Sequence, residues 1–152
     1  MVTSVQNKLS NSVLSSYSYS YFLDGNQKSK TDHNNLTTTY QYDNLGRLIS
    51  EAEGNILFKE YSYDQYSNRS SLTVSGSENY AVDYVYDLNN RLTLEEKIEG
   101  STYTTSYYFY DPNGNLFSKT TDTLEPSSSS PSISFEGTGT EFYSYNSFNH
   151  LT

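Results

Sequence analysis

Apolar and polar residues alternate with a period of two along most of the chain. The clearest run lies in residues 80–86, where every second residue is aromatic or aliphatic: Tyr80, Val82, Tyr84 and Tyr86. The residues between them are Ala81, Asp83 and Val85. This alternation is typical of a β-strand with one face turned to water, and it does not fit a helix.

Short turn signals separate these runs. Asp24-Gly25, Gly54-Asn55 and Asp111-Pro112-Asn113-Gly114 combine residues that accept the backbone angles of tight reversals. The pattern therefore predicts an all-β fold, an antiparallel sheet of successive β-hairpins that is twisted or curved and open.

Four regions follow from the pattern and its interruptions. Residues 1–16 are a polar lead-in, which we interpret as a strand or an irregular segment, and residues 17–124 form the hairpin array. Residues 125–134 are rich in Ser and Pro, a composition that predicts a flexible insertion. Residues 135–152 carry a last, degenerate copy of the hairpin pattern.

The composition changes the expected core. Only 34% of residues are hydrophobic, and 16% are aromatic, with 17 Tyr, no Trp and no Cys. Because Tyr combines a large ring with a polar tip, it suits half-buried sheet faces better than a dry interior. We therefore expect a thin sheet whose faces are covered by Tyr, Thr and Ser.

The charge excludes some partners. A formal net charge of -9 argues against binding to nucleic acid and to anionic lipid, both of which need clustered Lys and Arg. No apolar run reaches membrane-spanning length, so no membrane insertion is expected. The first residues lack the apolar segment of a signal peptide, so we expect any export signal to lie outside this sequence.

A pair of Tyr residues at spacing two recurs along the chain. The second Tyr of each pair recurs at steps of 21, 21, 23, 24 and 35 residues. A period of this length indicates an array whose units bury their faces against their neighbours, here one hairpin per unit. The pairs are Tyr19/Tyr21, Tyr40/Tyr42, Tyr61/Tyr63, Tyr84/Tyr86, Tyr108/Tyr110 and Tyr143/Tyr145.

Turn residues follow each pair in phase. Asp comes directly after the second Tyr in four copies, whereas the first copy has Phe22 and the last has Asn146. The remaining motif residues are Asp43, Asp64, Asp87 and Asp111, then Gly46 and Gly114, then Arg47, Arg69 and Arg91. The full pattern, Tyr-x-Tyr-Asp-x-x-Gly-Arg-Leu at residues 40–48, resembles the YD repeat of the RHS-repeat family.

This resemblance implies a function. Members of the family are mostly large bacterial surface or secreted proteins, with relatives in insecticidal toxin complexes and in animal teneurins. Their YD hairpins join into a β strip that spirals into a shell, which often encloses a C-terminal toxin. Six hairpins are too few to close a shell, so the resemblance implies a structural, non-enzymatic segment of an extracellular or cell-surface protein. Its partners would be the flanking repeats and an enclosed toxin.

The residues themselves offer few sites for chemistry. The Asp residues at fixed phase are explained by hydrogen bonds to turn N–H groups, and Asp111 to Asn115 lacks the ligands of a calcium loop. The two histidines, His33 and His150, have no paired nucleophile or ligand spacing. Glu51/Glu53 and Glu95/Glu96 could form a glycosidase pair only at a separation that sequence does not give. We therefore predict no catalytic residues, no metal ligands and no cofactor.

Two kinds of binding stay open from the sequence. Exposed Tyr rows on a flat sheet could stack on sugar rings, so a carbohydrate-binding module is the alternative function. An isolated stretch of sheet also has two unpaired edges, which predicts edge-to-edge self-association.

Overall fold

The computed structural model describes residues 1–126, 133–135, 139–145 and 151, and these contain strands and turns but no helix. Accordingly, the described residues include no helix that could cross a membrane. The strands are β1 (Ser4–Leu9), β2 (Ser12–Tyr21), β3 (Gln27–Asp32), β4 (Thr37–Tyr42), β5 (Leu48–Glu53), β6 (Leu57–Tyr63), β7 (Arg69–Gly76), β8 (Tyr80–Tyr86), β9 (Leu92–Glu99), β10 (Thr102–Tyr110), β11 (Leu116–Pro126), β12 (Ile133–Phe135) and β13 (Gly139–Phe142).

The chain divides into two units. Unit 1 comprises residues 1–62 and 73–78, and unit 2 comprises residues 63–72 together with the chain from residue 79 onward. Strands that follow one another in the chain pair antiparallel in unit 1, from β1 through β6. Unit 2 repeats this order from β8 through β12, and β13 also pairs with β11. The prediction of an all-β, antiparallel fold of successive hairpins is confirmed.

Strands also occupy the region assigned to the polar lead-in. β1 and the first part of β2 form a hairpin there, and Ser10 takes a positive φ of 54° in the turn between them. Every residue of β1 is exposed, so this strand belongs to the sheet through its backbone hydrogen bonds and not through burial. Of the two readings left open for residues 1–16, the strand is the one observed.

Neither unit has a conventional core. In unit 1 the buried apolar residue among the described ones is Val74, at 2% exposure. In unit 2 it is Val82, at 5%, accompanied by the buried hydroxyls of Ser106 and Ser118. The expected thin sheet is therefore observed, and its stability depends on cross-strand pairs more than on a dry interior.

A β-bulge interrupts each described hairpin that begins with a Tyr pair, namely β2–β3, β4–β5, β8–β9 and β10–β11, whereas the β3–β4, β5–β6 and β9–β10 pairings continue in register. The register shifts directly before the second Tyr of the pair, and the partner strand contributes one extra residue. Leu92 consequently lies opposite Tyr86, while Leu94 lies opposite Val85 on the other face. Strict period-two alternation, by contrast, would place Leu92 and Leu94 on the same face. Bulges bend and twist a strand locally, so this one puts the same bend into each of these hairpins.

Candidate functional site

Each repeat ends in a turn held by its Asp, and Asp43 shows the arrangement. The Asp43 N–H donates to the carbonyl of Arg47 at 2.9 Å, and the Gly46 N–H donates to the Asp43 carbonyl at 3.0 Å. The carboxylate closes the turn: Oδ1 accepts the N–H groups of Leu45 and Arg47, and Oδ2 accepts Nε of Arg47 at 2.7 Å. Both carboxylate oxygens are thus engaged in the turn, as expected for an Asp beside a reversal.

The turns of unit 2 repeat this geometry. Asp64, Asp87 and Asp111 each receive two backbone N–H groups on Oδ1, from the residues two and four positions later. Their Oδ2 atoms accept the side chain of the residue four positions later. That residue is Asn68 at 3.0 Å, Arg91 at 2.7 Å or Asn115 at 2.9 Å.

The third copy corrects one assignment made from the sequence. Asn68, and not Arg69, occupies the position that Arg47 and Arg91 hold in their turns. Arg69 lies one residue later, at the start of β7, and its guanidinium lies 5.4 Å from the ring centroid of Tyr84. It therefore contacts a Tyr ring of the next hairpin instead of closing its own turn.

The first copy keeps the turn without an Asp after its Tyr pair. The Phe22 N–H donates to the Asn26 carbonyl at 2.8 Å, as the Asp N–H does elsewhere. The capping carboxylate is instead that of Asp24, two residues after Phe22. It accepts the backbone N–H and the side-chain amide of Asn26.

A further turn of this kind was missed from the sequence. Asp32, the last residue of β3, accepts the N–H groups of Asn34 and Leu36 on Oδ1, and Asn35 takes a positive φ of 63°. The spacing Asp-x-x-Asn was the available signal. No Tyr pair directly precedes Asp32, so the repeat pattern does not point to this turn.

The residue three positions after the Asp adopts a left-handed conformation whatever its identity. Gly46 and Gly114 have φ values of 76° and 87°, and Ser67 and Asn90 have values of 70° and 59°. Since non-glycine residues pay a steric cost there, the backbone of the turn imposes this angle.

Neighbouring turns touch through two fixed positions. The residue that closes one turn reaches the left-handed residue of the next: Nδ2 of Asn68 donates to Oδ1 of Asn90 at 2.9 Å. In the following pair, Arg91 lies 3.9 Å from the position that a Cβ would take on Gly114. Within unit 1, Asn26 lies 3.7 Å from the corresponding position on Gly46. The turns of each unit thus form contiguous rows.

The first Tyr of a pair lies opposite a charged residue of the returning strand. The directly opposite pairs are Tyr19–Lys30 and Tyr40–Glu51 in unit 1, and Tyr84–Glu95 and Tyr108–Lys119 in unit 2. The Tyr face therefore carries rings and charges together.

Cations cover several rings of the Tyr face, including rings outside the repeat pairs. In unit 2, Arg91 lies 4.7 Å from the ring centroid of Tyr110, Lys97 lies 4.5 Å from that of Tyr80, and Lys119 lies 5.4 Å from that of Tyr108. In unit 1, Lys30 lies 5.1 Å from the ring centroid of Tyr17. Such contacts stabilise a sheet face by roughly 0.5–1 kcal/mol each at exposed sites.

The hydroxyl groups of the repeat Tyr residues are also engaged in several copies. Tyr21 donates to the carbonyl of Val2 at 2.6 Å, and Tyr110 donates to that of Leu92 at 2.8 Å. Burial raises the pKa of Tyr40, Tyr42, Tyr84, Tyr86 and Tyr110. The first-copy Tyr19 and the third-copy pair Tyr61/Tyr63 lie on β2 and β6.

The last copy is described only in part. Tyr143 donates its N–H to the carbonyl of Phe117 at 3.0 Å and its hydroxyl to Glu141 at 2.7 Å. Tyr145 forms an isolated bridge with Leu151. The motif residue Asn146, the histidine His150 and residues 127–132 of the Ser/Pro-rich insertion lie outside the described residues.

The other candidate groups are not brought together as a reaction would need. Across the described part of the chain, no three His, Cys, Asp or Glu side chains are placed to hold a metal ion. Glu51 lies 3.5 Å from Nζ of Lys59 in an ion pair, and His33 is exposed in the turn after β3. Asp111 uses both carboxylate oxygens within its own turn.

An open groove of about 810 Å³ lies between the first two repeat turns of unit 1. It is lined by aromatic and polar side chains, including Phe22, Tyr42, Gln41 and Asn44. The rings of Phe22 and Tyr42 meet edge to face with centroids 6.3 Å apart. This is the place where the first copy departs from the motif.

The sequence around the first two repeat turns is similar to a known protein family. Residues 23–56, which hold the first repeat turn, the second Tyr pair and the Asp43 turn, match the model of the RHS repeat. This segment is similar to the RHS repeat. The resemblance drawn from the Tyr-x-Tyr-Asp-x-x-Gly-Arg-Leu pattern is therefore confirmed.

Two solved structures are similar in fold to most of this chain. A chain in the crystal structure of TcdB2-TccC3-Cdc42 is similar with a TM-score of 0.70 and 18% identity, covering 93% of this chain and 7% of that chain. The crystal structure of TcdB2-TccC3 gives a TM-score of 0.69 and 18% identity, with the same coverage. At this identity the likeness concerns the fold. The chain spans about 7% of the length of these relatives, and no curated protein matches it.

Proposed function

We propose that this chain is a structural, non-enzymatic segment of a larger RHS-type protein and forms part of a β scaffold or toxin-enclosing shell. The observation that carries the proposal is the row of Asp-capped turns in each unit, in which neighbouring turns contact one another. A catalytic carboxylate needs an oxygen free to exchange protons, and the capping Asp residues use both oxygens within the turn. The repeated Asp residues therefore stabilise the row of turns.

The proposed partners are flanking repeats of the same parent protein and a C-terminal toxin enclosed by them. This part of the proposal rests on the family resemblance and on the small share of the TcdB2-TccC3 chains that this chain covers. The same resemblance supports an extracellular or cell-surface location for the parent protein.

The scaffold proposal is tested by deleting one period of the array. Deletion of residues 43–63 removes 21 residues, the spacing between Tyr42 and Tyr63, and keeps the motif in phase. We expect the product to retain its β circular dichroism but to unfold at lower urea concentration, because each repeat stabilises its neighbours. Deletion of residues 43–52, which breaks the phase, is the control and should abolish cooperative unfolding. Unchanged stability after the in-phase deletion would refute the proposal.

Self-association through the outer strand is part of the same proposal. β1 pairs with β2 on one side, and its residues are exposed throughout. An unpaired strand edge is a template for a second strand. Light scattering should show a mass that rises with concentration, and a strict monomer at high concentration would contradict it.

Glycan attachment is a second candidate, favoured by the groove whose lining combines Phe22 and Tyr42 with two amide side chains and two carboxylates. Aromatic rings beside amide groups suit the apolar faces and hydroxyls of sugars. A glycan array with the chain and with Phe22→Ala tests it: saccharide binding that the substitution removes supports the groove. Absence of any saccharide ligand removes this candidate.

A further inference from the structure

The face of unit 2 that lies opposite the repeat Tyr residues exposes large aromatic rings. On β10, Tyr103, Tyr107 and Phe109 point to this second face, because they alternate with the buried Ser106 and with Tyr108. Their exposed fractions are 51%, 42% and 51%. Exposed aromatic side chains grouped on one face of a sheet are typical of an interaction surface.

A row of carboxylates crosses the same face between the rings. Asp83 of β8 lies directly opposite Glu96 of β9, Glu96 lies opposite Thr105 of β10, and Thr105 lies opposite Asp122 of β11. Like charges directly opposite on neighbouring strands destabilise a sheet. The Asp83–Glu96 pair is therefore a local electrostatic cost built into this face.

No cation of the described part of unit 2 lies on this face to offset that cost. Its four Lys and Arg residues each lie over a Tyr ring on the other face: Arg69, Arg91, Lys97 and Lys119. Arg91 and Lys97 also form ion pairs with Asp87 and Glu99. The second face is thus acidic and aromatic, and the sheet separates it from the cations.

We propose that this second face binds an extended basic polypeptide segment, with Asp83, Glu96 and Asp122 receiving Lys or Arg side chains and Tyr103 and Tyr107 flanking them. The two Tyr residues lie two positions to either side of Thr105 on β10, which places them roughly 7 Å from the carboxylate row. A cation held by the carboxylates therefore comes within reach of the rings, where cation–π attraction adds to charge pairing.

Charge complementarity selects this occupant over others. A positively charged segment removes the repulsion between Asp83 and Glu96, whereas a neutral glycan leaves it in place. A second copy of unit 2 presents cations that already cover Tyr rings, so it has fewer to offer. The proposal concerns the second face and does not depend on the role of the capped turns.

The test uses the full chain and two dye-labelled peptides, one alternating Arg with Gly and one alternating Glu with Gly, followed by fluorescence anisotropy at low salt. We expect the Arg peptide to bind and the Glu peptide not to bind. The double variant Asp83→Asn/Glu96→Gln should weaken binding by about tenfold or more. Tyr107→Ser should weaken it by about two- to fivefold.

Matched variants distinguish binding at the second face from attraction to the net negative charge of the chain. Glu60→Gln/Glu78→Gln removes the same two charges from exposed positions elsewhere, and should change affinity by less than about twofold. Tyr66→Ser removes an exposed Tyr ring from a turn and should leave binding unchanged. Asp83→Asn/Glu96→Gln should also raise the urea midpoint of the free chain, which shows that it folds.

Three outcomes would overturn the proposal. The first is equal loss of affinity in the two double variants, which assigns binding to net charge alone. The second is failure of the Arg peptide to bind at low salt. The third is binding of a neutral saccharide to this face with no response to the Arg peptide.

Discussion

The guanidinium of Arg91 lies 4.7 Å from the ring centroid of Tyr110, which belongs to the next hairpin. The same side chain closes its own turn through Nε, 2.7 Å from Oδ2 of Asp87. One residue therefore links the turn of one repeat to the Tyr face of the following repeat. One repeat earlier in unit 2, two residues share these contacts: Asn68 closes the turn and Arg69 lies over the ring of Tyr84.

The Arg91–Tyr110 contact predicts a measurable coupling. In a double-mutant cycle with Arg91→Gln and Tyr110→Leu, the coupling free energy from urea unfolding should be about 0.5–1 kcal/mol, because each substitution removes the same cation–π contact. Tyr110→Phe is the control, since it keeps the ring and loses only the hydroxyl that donates to Leu92. Additive effects of Arg91→Gln and Tyr110→Leu would show that the contact contributes nothing.

The Asp caps predict a loss of stability in acid. Hydrogen bonds from the backbone N–H of Leu36, Arg47 and Arg91 hold the pKa of Asp32, Asp43 and Asp87 below the ordinary value of 3.8, and the Asn115 side chain does so for Asp111. Because these pKa values are lowered on folding, the stabilisation is complete above pH 3.8 and is lost as the pH falls through the lower folded-state values.

Urea unfolding as a function of pH measures this effect. The fourfold variant Asp32→Asn, Asp43→Asn, Asp87→Asn and Asp111→Asn should have a flatter pH profile below about pH 4, since the amides do not titrate. Glu78→Gln, a substitution outside the capped turns, should keep the steep profile. Parallel profiles for the fourfold variant and the original chain would contradict the assignment.

The raised pKa of Tyr108 predicts that the folded chain loses stability at high pH. Burial, followed by the charge of Glu95, raises the pKa of Tyr108 from 10.0 to about 12. A raised folded-state pKa means that the stabilisation is complete below pH 10 and is lost as the pH rises toward 12. Glu95→Gln should therefore lower the pKa of Tyr108, as measured by ultraviolet difference titration against Tyr108→Phe. Glu96→Gln, on the other face, should leave that pKa in place, and equal shifts in the two variants would argue against the geometry.

Gly76 lies so close to the backbone of Ile56 that a larger residue at this position is expected to destabilise the fold. A Cβ added there would lie 2.0 Å from the carbonyl oxygen of Ile56, which also accepts the Ser77 N–H at 2.7 Å. Gly76→Ala should lower the free energy of unfolding by at least about 3 kcal/mol, because the backbone must move. Gly100→Ala is the control: its φ is also positive, but nothing lies within 4 Å. It should cost about 1–2 kcal/mol. Similar losses at the two positions would contradict the close approach.

Much of the fold could be predicted because its signals are local. The hairpins follow from period-two alternation and from turns whose hydrogen bonds span four residues, as in Asp43 to Arg47. The misplacement of Arg69 has the same origin. Sequence spacing placed Arg in the third turn, but the bond to Asp64 goes to the residue four positions along, which is Asn68.

The candidate site could be predicted less well, because it depends on which strand residues face one another. The bulge before the second Tyr moves Leu92 and Leu94 to different faces, and no residue type in the motif marks it. The separation of cations from the Asp83–Glu96 pair likewise depends on register across several strands. Sequence period alone does not contain that information.

By itself, then, the sequence determined the repeat: Tyr pairs for strand faces, Asp for the turn and a left-handed residue three positions later. These features depend on backbone sterics and on hydrogen bonds between near neighbours, so a single repeat carries them. The tertiary structure decided what the repeats present to partners. Cross-strand register set cations over the rings of Tyr80 and Tyr110 on one face, and left Tyr103 and Tyr107 beside uncompensated carboxylates on the other.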